Sequence, residues 1–308
     1  MNLPQFEFRM ESGAIALRDG FVVNFFLPRS HVEISNIVER AVGLYLGLPG
    51  IPTVLGTLDG EGYPLMLGAG KLPSLIKDKL REGLTEAELQ VIDSTDGTSS
   101  FSIRYHGFDL KDRSEKGWRS AVSGIRFTFP TSYLGEEGLL EIFQFSNNLA
   151  EMLPFSFGYV SPAFLYHEGV GEPAAFETIR GLCKRFLCLD IPFLLLDCLE
   201  VGSGPKGAYW GNYLSSSIVE KLGGEILVKK HFEGHDVRLR AQGNGAMSIY
   251  LGRSPIAGDV NRNENVEAHK VAFRIFAREM VQRTVPYMDF DEETMHHWLY
   301  RFADAEDE

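Results

Sequence analysis

The sequence predicts an α+β fold with mixed or antiparallel sheets and flanking helices. Three observations predict it. Strand-like and helix-like segments alternate in the first half of the chain, hairpin signals dominate the last third, and the apolar content can fill a sizeable core. The chain has 308 residues, 44% of them hydrophobic, including 22 phenylalanines. One compact domain over 1–308 is expected, with possible subdomains 1–150 and 151–308. FFLPRS (Phe25–Ser30) and FTFPTS (Phe127–Ser132) echo each other, each a strand ending in Pro-x-Ser before a helix. No Gly/Ser-rich or Pro-rich linker separates the halves, so they are expected to pack tightly.

FVVNFFL (Phe21–Leu27) is β-branched and aromatic and stops at Pro28, which reads as a strand. Ile34, Ile37, Val38, Ala41, Val42 and Tyr45 then recur three and four apart, one face of a helix closed by LGLPG. TLDGEGYPLML (Thr57–Leu67) places an Asp-Gly turn between two apolar pieces. The charged stretch Lys71–Leu89 reads as a surface helix. FSIRYHG (Phe101–Gly107) and SGIRFTFP (Ser123–Pro130) alternate as half-buried strands do. A helix follows, with Leu139, Ile142, Phe143 and Leu149 inward.

FSFGYVSPAFLY (Phe155–Tyr166) reads as a strand region broken by Pro162. Next comes a helix whose stripe holds Phe176, Ile179, Cys183 and Phe186, then the apolar IPFLLLDCL (Ile191–Leu199), a candidate strand. EILVKK, VRLRAQ and AMSIYL read as an antiparallel meander, the last two joined by the Asn-Gly turn of QGNG (Gln242–Gly245). Two helices close the chain, the last with Met295, Trp298, Leu299 and Phe302 on one side.

Gly202, Gly204 and Gly207 spell G-x-G-x-x-G, the spacing of a dinucleotide-binding loop. That chemistry needs a helix amino-terminus directly after the glycines, where amides meet phosphate. Here the aromatic AYWGNYL follows instead, and the next helix starts near Ser215–Ser217, with Ser217 and Glu220 as a capping box. Pro205 removes one amide from the loop. No nucleotide or other cofactor is therefore expected.

Metal and nucleophile signatures are equally thin. His231 and His235 stand four apart in HFEGHD, but Gly234 argues against one helical face. His296 and His297 are adjacent and diverge on a helix. Cys183, Cys188 and Cys198 form neither a disulfide framework nor a C-x-x-C pair. No G-x-S-x-G or P-loop is present, and no S-x-x-K stands with its partner motifs. Asp59 and Glu61 read as solvated turn acids. No catalytic residue and no metal site is expected.

Acidic residues number 42 against 30 basic ones, a formal net charge of −12. Such a surface repels nucleic acid phosphates and anionic membranes, and it steers a basic protein partner inward. Asp289, Asp291, Glu292 and Glu293 crowd the start of the last helix, where they suit the positive dipole end and could form an acidic contact patch. The first residues show no basic-then-apolar leader, and no apolar run approaches a membrane span, so a cytoplasmic location is expected.

GAYWGNYLSSSIVEKLGG (Gly207–Gly224) runs from a Gly-aromatic-Trp segment through Leu214 into a short helix ended by Leu222, Gly223 and Gly224. This resembles the type VI secretion immunity family. FSFGYVSPAFLY is similar to that family's Gly-aromatic-small segment, and the opening strand and helix sit where its domain begins. The resemblance implies a non-enzymatic antitoxin that binds a cognate effector and occludes its active site. It implies a toxin as the partner, foremost a nuclease, with a lipase or peptidoglycan enzyme as the alternative, and no catalytic residues of its own; a nuclease would present a basic groove to phosphates. Trp210 and the two glycines are implied to shape the fold. An enzyme whose site converges from distant segments, or an adaptor of the secretion apparatus, is the alternative.

Overall fold

The computed structural model describes residues 3–53, 55–58, 64–68, 70–111, 120–167, 172–202, 204–280, 287 and 290–303. The chain begins with β1 (Glu7–Arg9), β2 (Ile15–Leu27), α1 (His31–Leu46), β3 (Gly56–Leu58), β4 (Pro64–Met66) and α2 (Lys71–Lys79). It continues with β5 (Ala87–Ile92), β6 (Ser102–Gly107), β7 (Ser123–Phe129), α3 (Glu136–Met152), β8 (Phe157–Tyr166), α4 (Glu172–Leu182) and α5 (Leu194–Glu200). The last third holds β9 (Gly211–Leu214), α6 (Ser216–Lys221), α7 (Glu225–His231), β10 (Val237–Ala241), β11 (Met247–Leu251), α8 (Glu267–Phe276) and α9 (Glu292–Leu299). The fold is α+β, as expected.

The strands form one open sheet in the order β10-β11-β9-β8-β2-β7-β6-β5-β3-β4, with β1 against β2. All of these pairings are antiparallel. β2 lies at the centre, between β7 and β8, so a single sheet joins the two halves of the chain.

Alternation along β2 sorts its side chains into two cores. Phe21, Val23, Phe25 and Leu27 join Ile34, Val38 and Tyr45 of α1 and Ile142, Phe145 and Leu149 of α3. Val22 and Phe26 join Leu194 and Cys198 of α5, Ile218 of α6 and Ala272 of α8. A third cluster gathers Phe176 and Ile179 of α4 with Met295 and Trp298 of α9. Burying each such aliphatic or aromatic side chain contributes roughly 1.5–3 kcal/mol. Cys183 and Phe186 belong to this third cluster, though α4 ends before them.

The secondary structure departs from the sequence reading at five places. The helix expected over 71–89 ends at Lys79, and Ala87–Ile92 is a strand. β5 pairs with β6 over its full length, and this ladder outweighs the helix preference of Ala87, Glu88 and Leu89. β8 runs unbroken through Pro162. Pro162 O accepts from Asp190 N, so the backbone groups of Pro162 face the side where β9 has already ended, at the Val160–Gly211 pair. The missing N–H therefore costs no ladder bond.

Residues 194–200 form a helix rather than a strand, since Leu194, Asp197 and Cys198 fall on one buried face. EILVKK is also helical. Gly224, at φ 87°, reverses the chain before it, an ion pair of 2.5 Å joins Glu225 to Lys229, and Val228 alone is buried. Finally, α6 is capped by Ser215, whose side chain accepts from Ile218 N, and not by Ser217. The helix stops as expected: Gly223 N donates to Glu220 O and Gly224 N to Val219 O. No helix among the described residues is long and apolar enough to cross a membrane.

Candidate partner-binding surface

The acidic start of α9 is held rigidly from below. Met295 and Trp298 are buried beside Phe176, Tyr287 and Phe290. The Arg301 guanidinium covers the Trp298 ring at 3.7 Å and donates to Leu187 O at 2.7 Å. One helical face is thereby fixed in the core, and the opposite face must point to solvent. Asp291 is the N-cap and accepts from Thr294 N at 2.7 Å. Hydrogen bonding to Thr294 holds the Asp291 carboxyl below the usual carboxylate range. Glu292 and Glu293 occupy the first turn, exposed, and make no ion pair or hydrogen bond with a described residue. Asp291 and Glu293 border a shallow depression shared with Lys184 and His297. Asp289 lies outside the described residues.

The glycine loop has a different task. Gly202, at φ 64°, turns the chain out of α5, and the following segment brings Lys206 into the interior. Its ammonium lies 2.9 Å from Asp190 Oδ1 and 2.9 Å from Asp197 Oδ2, and it donates to Ile191 O at 3.2 Å. All three ammonium hydrogens thus have acceptors. Tyr159 and Tyr209 donate to the two Asp190 oxygens at 2.7 and 3.1 Å, and their rings stack with centroids 4.1 Å apart. The three charged side chains are 6, 0 and 1% exposed.

Burial opposes the Asp190 carboxylate, yet Lys206 and Tyr159 hold its pKa below the ordinary value. Burial opposes the Lys206 ammonium as well, but Asp190 and Asp197 outweigh it and raise its pKa well above the ordinary value. A sealed ion cluster of this kind ties α5, β8 and the loop before β9 together, and no solute reaches it. The helix that follows the loop begins only at Ser216, beyond β9, so no helix amino-terminus stands beside the glycines. The sequence reading missed this cluster. The signal was Asp190 and Asp197 inside the apolar run FLCLDIPFLLLDCL, since buried carboxylates require partners.

The remaining candidates disperse. His231 ends α7 and His235 lies in the turn after it; both border a groove with Leu227, Arg274 and Arg278. His296 stacks on Tyr300, and His297 sits at the depression by Lys184. The three cysteines are buried thiols. Asp59 and Glu61 lie outside the described residues. Among the described residues no group of three or more His, Cys, Asp or Glu side chains could hold a metal ion. Trp210 is buried, edge-on to Phe21 and Tyr250.

The described residues thus combine an open antiparallel sheet, a buried charge cluster and exposed acids at the start of α9. Comparison with protein families matches residues 68–302 to TsiV, type VI immunity for VRR-NUC. The chain belongs to this family of type VI immunity proteins against VRR-NUC nuclease effectors. Among solved structures it is similar to the Pseudomonas aeruginosa T6SS protein PA0821, with a TM-score of 0.77 and 14% identity, over 98% of this chain and 88% of that one. At that identity the likeness is one of fold. Comparison with curated protein sequences gives no match.

Proposed function

We propose that the chain neutralises its cognate VRR-NUC effector by binding it and covering the nuclease active site, without catalysing a reaction. The observation that carries this reading is family membership over residues 68–302. Electrostatics supply the mechanism. A nuclease must present Lys and Arg to phosphates, so its substrate groove is basic. A chain of net charge −12 is drawn to such a groove and repelled by the nucleic acid it would displace. Asp289, Asp291, Glu292 and Glu293 are the proposed contact residues. The partner is met in the cytoplasm, and neither nucleic acid nor membrane takes part directly.

Co-expression of the neighbouring effector gene with and without this gene tests the reading. Rescue of growth and a stable complex unable to bind DNA are expected. An effector that is harmless alone, or a complex that still binds and cuts DNA, overturns it.

A further inference from the structure

The two ends of the sheet differ. At one end, β4 has three residues and opens with a proline, a short and blunted edge. At the other, β10 has five residues, and among the described residues β11 is its one neighbour in the sheet. The register fixes where its backbone points. Leu251 N donates to Trp210 O, on the β9 side of β11, and Leu251 is opposite Val237. Asp236 O and Gln242 N, by contrast, bond back across the hairpin to Gly252 N and Ala246 O. Even-numbered residues of β10 therefore face β11, and Val237, Leu239 and Ala241 turn their backbone groups off the edge.

The side chains make this edge selective. Arg238 and Arg240 are exposed on one face of β10. Arg238 lies 5.7 Å over the rings of both Phe143 and Tyr250, and Arg240 forms an exposed pair with Glu151 at 3.2 Å. Val237 and Leu239, on the other face, are half-buried against the cluster that contains Ile249 and Leu251. A second copy pairing antiparallel about Leu239 would set Arg238 against Arg240 twice, an opposition of like charges. A strand with carboxylates at alternate positions and apolar residues between them would satisfy both faces.

We propose that β10 is a docking edge for an extended segment of alternating acidic and apolar residues, supplied by the effector. The source of the segment rests on the functional reading above; the chemistry of the edge does not. The test is amide hydrogen exchange at Leu239 and Ala241. It is run on the full chain alone, with the effector, and with synthetic Glu-Val and Lys-Val repeat peptides at millimolar concentration. Exchange at both amides is expected to slow by about tenfold or more with the effector and with the Glu-Val peptide, and to stay unchanged with the Lys-Val peptide.

Ala241→Pro removes an outward N–H without touching the β11 ladder. It is expected to keep the melting temperature and weaken effector binding by about tenfold, as is the pair Arg238→Glu and Arg240→Glu. A tight effector complex that leaves both amides unprotected and is indifferent to these variants overturns the docking edge and spares the immunity reading. Protection by the Glu-Val peptide without any effector binding overturns the immunity reading and spares the edge. Equal protection by both peptides overturns the charge selectivity.

Discussion

Lys206, in the loop before β9, and Glu293, in the first turn of α9, both carry a charge, and their surroundings give that charge opposite uses. Lys206 is sealed between two carboxylates, with stacked tyrosines beside it. Its field is spent internally, and its removal would leave two buried acids without the ammonium they share. Glu293 stands on a helix end whose other face is anchored by Met295 and Trp298, so its field extends into solvent. Buried charge here fixes architecture, and exposed charge is available to the partner contact proposed above. A third behaviour is shown by His269 on α8. It is 2% exposed, neither ring nitrogen has a hydrogen-bond partner, and Phe302 lies against it at 5.3 Å. Such a site admits only the neutral imidazole.

Substitution tests this contrast most severely at Lys206. Lys206→Met should lower unfolding stability by about 3–5 kcal/mol, because breaking a buried pair strands the remaining charge. Chemical denaturation measures it, and a loss below about 1 kcal/mol would show that the cluster is not an anchor. Effector binding by the folded fraction should persist, since the cluster is buried.

Next in size is the acid sensitivity of His269. Burial, assisted by Arg301, lowers its pKa to about 3. The folded state thus refuses a proton that the unfolded chain accepts below about pH 6.5, so stability falls as pH drops through that value. The loss should reach about 2 kcal/mol at pH 5 and continue towards pH 3. His269→Leu should flatten that part of the pH–stability curve, and an unchanged slope would assign the acid sensitivity to other groups.

The smallest stability effect belongs to the exposed acids. Glu292→Lys with Glu293→Lys should lower unfolding stability by no more than about 1 kcal/mol each, the scale of a charge at a helix terminus. The same pair should slow effector association severalfold at low salt and far less at high salt, because steering is screened. Stopped-flow rates that ignore both the substitutions and the salt would remove α9 from the contact surface.

Much of the fold was legible in the sequence because local rules governed it. α1 has an apolar face spaced for a helix and a Ser30–Glu33 capping box, and the Gln242–Gly245 turn fixed the β10–β11 hairpin. β2 was legible from its aromatic and β-branched content, whereas β7, read from its alternation as half-buried, is buried on both faces of the sheet. Where several states compete locally, tertiary contacts decided. Ala87–Ile92 became a strand because β6 offered a full ladder, and EILVKK became a helix anchored by Val228 alone. Too few positions carried a period in either segment for the pattern to discriminate. The exposed acids of α9 were also legible, since charge and capping are local properties, with Asp291 as the cap.

By itself the sequence determined the α+β class, the stops of α1 and α6, the hairpin turn and a net charge of −12, all set by neighbours in the chain or by composition. Only the tertiary structure decided that the glycine loop carries Lys206 to Asp190 and Asp197. Only it left the odd-numbered backbone of β10 facing outward. Both outcomes depend on which distant segments meet. A charge becomes an anchor, and a strand becomes an edge, through what the rest of the chain places, or does not place, beside it.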